Sequence, residues 1–76
     1  MNGLVIVTTT TCGPCRNAKA WLKQRGVEFS EVNLDERKDL IPWLFQTSGQ
    51  RTVPQFYSDG NWIRGGFPAV QAQFRG

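Results

Sequence analysis

The 76 residues of this chain are enough for one small domain, residues 1–76, with an apolar fraction of 39% and a net charge of +3. The nine basic residues are scattered along the chain, so we expect acidic partners rather than nucleic acid. The apolar stretch near the N-terminus has only four residues, too few for a membrane span or a secretion signal, so we expect a cytoplasmic protein with no membrane partner.

The first half of the chain predicts a strand, a helix and a second strand. Residues 4–7 form a continuous apolar run, which is typical of a central strand covered on both faces. Residues 15–25 repeat apolar side chains with the helical period, and Gly26 follows where such a helix would end. Residues 27–34 are rich in β-branched and aromatic side chains. They predict a second strand, parallel to the first because a helix intervenes.

A second helix is predicted after a polar connection. Its apolar face is formed by Leu40, Ile41, Leu44 and Phe45. Pro42 fits this helix only in the first turn, so Asp39 is the predicted N-cap. Gly49 is the predicted end of the helix.

The last third of the chain predicts a hairpin followed by a short helix. Ser58-Asp59-Gly60 separates two strand patterns, residues 55–57 and 61–64. Gly65-Gly66 then breaks the strand, and Pro68 fits the first turn of a last helix. The resulting order, β-α-β-α-β-β-α, predicts an α/β fold with a four-stranded mixed sheet and helices on both faces.

The only two cysteines, Cys12 and Cys15, lie where the first strand passes into the first helix. At a helix N-terminus, unpaired N–H groups and the helix dipole favour a thiolate on Cys12, whereas Cys15 is one turn further in and is expected to be buried. Cys12 would attack a substrate disulfide, and Cys15 would then attack Cys12 and release the reduced substrate. Pro14 suits the first helical turn, and Gly13 leaves open space beside the nucleophile.

Three other uses of the cysteine pair compete with redox catalysis. A structural disulfide closing so short a loop would contribute roughly 2 kcal/mol, which makes it a weak cross-link. A metal site within one chain is not expected, because the sequence has no further cysteine and no histidine. Two thiols without function are the third alternative, but a CxxC in a β-α-β context is typical of redox proteins. We therefore predict a redox-active Cys12–Cys15 disulfide and no bound cofactor.

Three segments of the chain together resemble a known family. The cysteine motif is followed by Ala18-Lys19 and Leu22, residues 48–55 read Ser-Gly-Gln-Arg-Thr-Val-Pro-Gln, and Gly65-Gly66 forms a glycine pair. In these features the chain is similar to the glutaredoxins of the thioredoxin superfamily, over essentially its whole length. The resemblance implies a thioredoxin-like fold and a small thiol–disulfide oxidoreductase that reduces protein disulfides.

The resemblance also implies a substrate-binding surface around the cysteines. It places a cis peptide bond before Pro54, opposite Cys12, although the residues alone would favour an ordinary trans proline at the start of an edge strand. The backbone of Val53 would then be open to a substrate strand. The implied substrate-binding residues are Gly13, Pro14, Arg51, Thr52, Val53, Pro54, Gly66 and Phe67.

Two departures from the family pattern bear on the electron donor. Gly13-Pro14 between the cysteines looks like thioredoxin, and Phe67-Pro68-Ala69 stands where glutathione-using members have a polar residue and Asp. A Gly-Phe pair there is similar to the redoxins that serve ribonucleotide reductase. We therefore expect a monomer that takes electrons from thioredoxin reductase and supplies ribonucleotide reductase or a similar enzyme. The alternatives are a glutathione-dependent glutaredoxin and, less favoured, an iron–sulfur cluster held between two chains through Cys12.

Overall fold

The computed structural model describes residues 3–75, and its centre is a four-stranded sheet with the strand order β2-β1-β3-β4. The strands are β1 (Leu4–Thr8), β2 (Phe29–Asn33), β3 (Gln55–Ser58) and β4 (Asn61–Trp62). β1 is parallel to β2 and antiparallel to β3, and β3 and β4 form an antiparallel hairpin. The predicted mixed sheet is therefore confirmed.

Three α-helices connect and follow the strands: α1 (Gly13–Gln24), α2 (Ile41–Ser48) and α3 (Gly66–Gln73). A single 3₁₀ turn, Lys38–Leu40, precedes α2. No helix within residues 3–75 is both long and apolar enough to cross a membrane.

The central strand β1 is buried on both faces, which explains its continuous apolar sequence. Leu4 and Ile6 belong to a core shared with Ala18 and Leu22 of α1 and Val70 of α3. Their neighbours on β1 point the other way, into a second core whose buried members are Val5, Val7, Leu34, Leu44 and Tyr57. Helices therefore cover both faces of the sheet, as predicted, and the carboxyl end of β1 leads straight to the cysteine motif.

Two predicted chain reversals are confirmed by left-handed backbone conformations. Gly49 follows α2 with φ of 70°, the αL conformation that commonly ends a helix. Asp59 and Gly60 in the hairpin have φ of 52° and 86°, which matches the twist of a two-residue turn between antiparallel strands. The hairpin therefore returns the chain toward α3 without a long loop.

The predicted N-cap of α2 is wrong. Leu40 lies at the N-cap position, and no side chain caps the preceding 3₁₀ turn or the helix. The carboxylate of Asp39 instead accepts two hydrogen bonds from Arg37, at 3.1 and 3.0 Å. This two-pronged contact with the guanidinium engages both carboxylate oxygens and competes with capping for them. Pro42 does lie in the first turn of α2, as predicted.

The predicted apolar face of α2 is also partly wrong. Leu44 is 1% exposed and packs on the sheet, but Ile41 and Phe45 are 45% and 46% exposed. Leu44 and Ser48 are four residues apart and face the sheet. Phe45 follows Leu44 directly, so its side chain is turned about 100° around the helix axis from that of Leu44. Phe45 is therefore a surface residue rather than part of the core.

Candidate active site

The two cysteines form a disulfide at the start of α1, with their Cα atoms 5.2 Å apart. Cys12 is the N-cap residue of the helix and is partly exposed. Cys15 is 1% exposed and lies among the fully buried side chains. The structure therefore has the accessible and buried pair that the sequence predicts.

The environment of Cys12 favours negative charge on its sulfur. The backbone N–H of Cys15 donates a hydrogen bond to Cys12 Sγ at 3.1 Å. The helix dipole has its positive end at the same place, and no acidic side chain lies in the first turn of α1. Arg16 adds a cation nearby, because its Nη2 is 3.9 Å from where a Cβ on Gly13 would lie. When the disulfide opens, these groups stabilise a thiolate on Cys12.

A backbone carbonyl faces Cys12 from the other side of the site. The Val53 oxygen lies 3.9 Å from Cys12 Sγ. The Val53–Pro54 peptide bond is cis, as the family resemblance implied. The segment before β3 and the start of α1 therefore meet at the exposed sulfur, so a group bound to Val53 would lie beside the reactive atom.

The loop that leads into the motif is held by the carboxylate of Asp35. Asp35 Oδ2 accepts a hydrogen bond from the Thr10 N–H at 2.8 Å, and Asn33 Nδ2 donates to Thr10 Oγ1 at 3.4 Å. The bond from the Thr10 backbone, followed by that from its hydroxyl, lowers the pKa of Asp35 below its ordinary value. The sequence analysis missed this anchor, because the contact spans 25 residues and has no local signal.

A second charged contact joins α1 to the edge of the sheet. Glu31 accepts hydrogen bonds from the buried Thr8 hydroxyl at 2.6 Å and from Lys19 Nζ at 3.0 and 3.1 Å. The Thr8 hydroxyl, and then Lys19, lower the pKa of Glu31, while partial burial works in the other direction. This pair fixes the middle of α1 against β2, and thereby the orientation of the helix that carries both cysteines.

Gln55 is a further residue that the sequence analysis missed. Its side-chain amide is buried, donates to the carbonyl and hydroxyl of Thr52 at 3.1 and 3.3 Å, and accepts from the indole N–H of Trp62 at 3.0 Å. Strand alternation could have found it, because Gln55 shares a face with Tyr57, which is 2% exposed. A polar residue at such a position requires hydrogen-bond partners.

Comparison with known proteins identifies the family. The glutaredoxin family model matches residues 4–63. Glutaredoxin 3 of Escherichia coli strain K12 is 37% identical over 65 residues, which is 86% of this chain and 78% of that protein. The chain belongs to the glutaredoxin family. A glutaredoxin of Pseudomonas aeruginosa strain PAO1 is 39% identical over 57 residues, covering 75% of this chain and 68% of its own length.

Solved glutaredoxin structures share this fold. The crystal structure of a buckwheat glutaredoxin–glutathione complex matches 97% of this chain and 69% of its own, with a TM-score of 0.80 and 35% identity. The glutaredoxin of Archaeoglobus fulgidus matches the whole chain and 89% of its own, with a TM-score of 0.79 and 26% identity. The fold is therefore the thioredoxin-like fold of glutaredoxins. As a glutaredoxin with a redox-active CxxC disulfide, the protein is a thiol–disulfide oxidoreductase.

Arg51 lies at the side of this glutaredoxin site. Its guanidinium covers the exposed ring of Phe45, with 4.7 Å between Cζ and the ring centroid. This cation–π contact holds a positive charge next to Thr52 without burying it. Its predicted contact with substrate stays a prediction, as does that of Thr52.

Gly66, the second glycine of the pair, and Phe67 begin α3. The ring of Phe67 is half-buried and packs between Trp21, edge to face at 5.6 Å, and Phe56, stacked at 6.0 Å. Most of this ring is therefore engaged by the core, and only its remaining exposed part is open to a partner. Substrate binding by Gly66 and Phe67 also stays a prediction.

Proposed function

We propose that this glutaredoxin reduces protein disulfides, with Cys12 as the nucleophile and Cys15 as the resolving thiol. The observation that carries this assignment is the asymmetry of the pair. Cys12 is partly exposed and its Sγ receives the Cys15 N–H at 3.1 Å, whereas Cys15 is 1% exposed. A substrate can reach only the first sulfur, and that sulfur has the groups that stabilise a thiolate.

The proposed reaction transfers two electrons in two exchange steps. The Cys12 thiolate attacks one sulfur of the substrate disulfide, which forms a mixed disulfide and releases the other substrate sulfur as a thiolate. Cys15 loses its proton and attacks Cys12 Sγ. The bond between Cys12 and the substrate breaks, the second substrate thiol leaves, and the Cys12–Cys15 disulfide remains. The substrate is reduced and the protein is oxidised.

The backbone of Val53 is the proposed docking point for the substrate chain. Its carbonyl oxygen is 3.9 Å from Cys12 Sγ, so a strand paired with Val53 has its own disulfide within reach of the nucleophile. Pairing through the main chain tolerates many side chains. This suits an electron carrier that serves large protein partners such as ribonucleotide reductase.

Thioredoxin reductase is the proposed electron donor. The first turn of α3 contains no acidic residue, and Phe67 turns its ring toward the core. The ammonium group of glutathione would therefore lose water at this position without gaining a carboxylate partner. The Gly13-Pro14 pair between the cysteines is also that of thioredoxin. A dithiol that must be reduced after each turnover fits a reducing compartment, so we place the protein in the cytosol.

Glutathione is the second candidate donor, because the related buckwheat glutaredoxin forms a complex with it at 35% identity. Arg51, Thr52 and Val53 are also similar to the corresponding family segment. A coupled assay decides between the donors, with insulin as the substrate and either thioredoxin reductase or glutathione with its reductase as the source of electrons. We expect faster turnover with thioredoxin reductase. Faster turnover with glutathione would overturn this part of the proposal and leave the roles of the cysteines intact.

Two variants test whether the missing carboxylate partner limits the rate with glutathione. Pro68→Asp introduces a carboxylate at an exposed position in the first turn of α3 and should raise the rate with glutathione. Ala72→Asp makes the same charge change at an exposed position later in the same helix and should leave that rate unchanged. Equal effects of the two variants would show that net charge, rather than a missing partner for glutathione, sets the rate.

A further inference from the structure

We propose that Gln55 and Trp62 are positioning residues that orient the backbone of Val53 for substrate docking. The inference rests on the docking role proposed above for Val53. Neither side chain forms a hydrogen bond with a cysteine. Both act on Val53 only through Thr52.

Gln55 occupies an unfavourable position for a polar side chain. It is 7% exposed, and it faces the same side of the sheet as Val7, its partner on β1, and Tyr57. An amide buried there without partners would be strongly unfavourable, because burial removes its hydrogen bonds to water. The structure avoids that cost by engaging both ends of the amide.

The contact with Trp62 determines which way the Gln55 amide points. An indole N–H can only donate, so the atom of Gln55 that lies 3.0 Å from Trp62 Nε1 must be the oxygen. The amide nitrogen is then turned toward Thr52 and donates to its carbonyl and hydroxyl oxygens. Trp62 on β4 therefore selects the orientation in which Gln55 acts as a donor to the segment before β3.

Holding the Thr52 carbonyl also fixes the N–H of Val53. These two groups belong to one planar trans peptide unit, so they point in opposite directions. The Gln55 nitrogen lies 3.1 Å from the carbonyl oxygen, which leaves the Val53 N–H directed away from Gln55. Within residues 3–75, no backbone carbonyl accepts a hydrogen bond from that N–H. It is a donor kept in a fixed direction on the residue whose carbonyl oxygen lies 3.9 Å from Cys12 Sγ.

The test compares two disulfide substrates, of which only one contains a peptide backbone that can pair with Val53. One is a short unstructured peptide whose single cysteine forms a mixed disulfide with 2-mercaptoethanol. The other is 2-hydroxyethyl disulfide, which cannot pair with Val53. Rate constants for the reduced protein with each probe give a preference ratio. We expect a ratio of about tenfold or more for the unsubstituted protein, about the value of one hydrogen bond.

Gln55→Met keeps the length of the side chain and removes all three hydrogen bonds of the amide. Trp62→Phe keeps an aromatic ring but removes the indole N–H together with part of the bicyclic ring. Both variants should lose most of the preference for the peptide, while the rate with 2-hydroxyethyl disulfide changes by less than about twofold. Trp43→Phe is the matched control, because Trp43 stacks on Tyr57 at 4.6 Å on the same face of the sheet. This control should retain the full preference.

Three results would overturn the inference in distinguishable ways. A Gln55→Met protein that keeps the full preference would show that Gln55 does not orient Val53. Equal losses with both probes in Gln55→Met and Trp62→Phe would assign these residues a structural role alone. An unsubstituted protein without any preference would overturn the proposed docking role of Val53 as well. Circular dichroism establishes whether each variant is folded. If Gln55→Met does not fold, Trp62→Phe still tests the inference.

Discussion

Two segments meet at the exposed sulfur of Cys12, and they are held in place by different kinds of contact. The thiol segment, residues 9–15, depends on charge: the Asp35 carboxylate holds the Thr10 N–H, and the start of α1 faces the sulfur. The docking segment, residues 50–55, is held by hydrogen bonds with neutral groups, namely the Gln55 amide and the Ser48 hydroxyl, while its Arg51 packs on the Phe45 ring. The two segments are separated by 3.9 Å, from Cys12 Sγ to the Val53 oxygen.

Because of this difference, the contacts that control the reactivity of Cys12 are distinct from those that position a bound substrate. Charged contacts at the thiol segment change with pH and respond to the charge on the sulfur during the reaction. Neutral contacts at the docking segment keep the same geometry across the physiological pH range, because none of their groups ionises there. A partner can therefore meet the same backbone surface of the docking segment across that pH range, while the charged contacts of the thiol segment change with pH.

The largest expected effect comes from the two cysteines themselves. Cys12→Ser should lower reductase activity by roughly a thousandfold or more, because it removes the nucleophile. Cys15→Ser should retain the first step and accumulate mixed disulfides, because the resolving thiol is absent. Mass spectrometry after incubation with a disulfide substrate measures the adducts. Stable adducts on the Cys12→Ser protein, and none on Cys15→Ser, would reverse the assignment of roles.

A smaller effect is expected at the docking segment. Ser48 is 7% exposed, donates to the Leu44 carbonyl at 2.6 Å and accepts from the Gln50 N–H at 3.0 Å. Ser48→Ala should lower the free energy of unfolding by about 1 kcal/mol, equally at pH 5 and pH 8, because a hydroxyl does not titrate there.

Urea denaturation at the two pH values measures this loss of stability. Ser30→Ala, at an exposed position on β2, is the matched control and should change little. A loss from Ser48→Ala that differs strongly between pH 5 and pH 8 would remove the distinction between the two segments.

The smallest effect is expected at the thiol segment, from Asp35→Asn. The pKa of Asp35 is lowered in the folded protein from its ordinary value of 3.8, because the Thr10 N–H favours the carboxylate. A lowered folded pKa stabilises the fold at pH values above 3.8, and the contribution is lost as the pH falls through the folded value. The destabilisation by Asp35→Asn should therefore shrink as the pH falls below about 4.

Unfolding experiments from pH 7 to pH 3 follow this change. Glu36→Gln alters a neighbouring exposed carboxylate that makes no side-chain contact with Thr10 and serves as the control. A penalty for Asp35→Asn that stays constant over the whole range would contradict a charged anchor at Thr10.

The parts of the fold that could be predicted are those with strong local signals. The apolar run of β1 reports burial on two faces, and Gly49 marks a position that needs a left-handed backbone. The cap of α2 could not be predicted in the same way. Asp39 is a good cap by residue type, but Arg37 lies two positions away and takes both of its oxygens. Local propensity does not rank such competing partners.

The residues of the candidate site also include some that the local sequence predicts and some that it does not. Cys12 and Cys15 could be assigned from spacing alone, because helix geometry relates them directly. Gln55 and Asp35 could not, since their roles depend on where other segments lie after folding, with Thr10 and Asp35 being 25 residues apart. The resemblance to glutaredoxins supplied the position of Val53 opposite Cys12, which no periodicity in the sequence contains.

The central claim is that the start of α1 stabilises a thiolate on Cys12. In the Cys15→Ser variant Cys12 is the only thiol, and the backbone N–H at position 15 is retained. Ultraviolet titration of thiolate absorbance in this variant measures the pKa of Cys12 directly. We predict a midpoint below the ordinary cysteine value of about 8.5. A midpoint at or above that value would contradict the account.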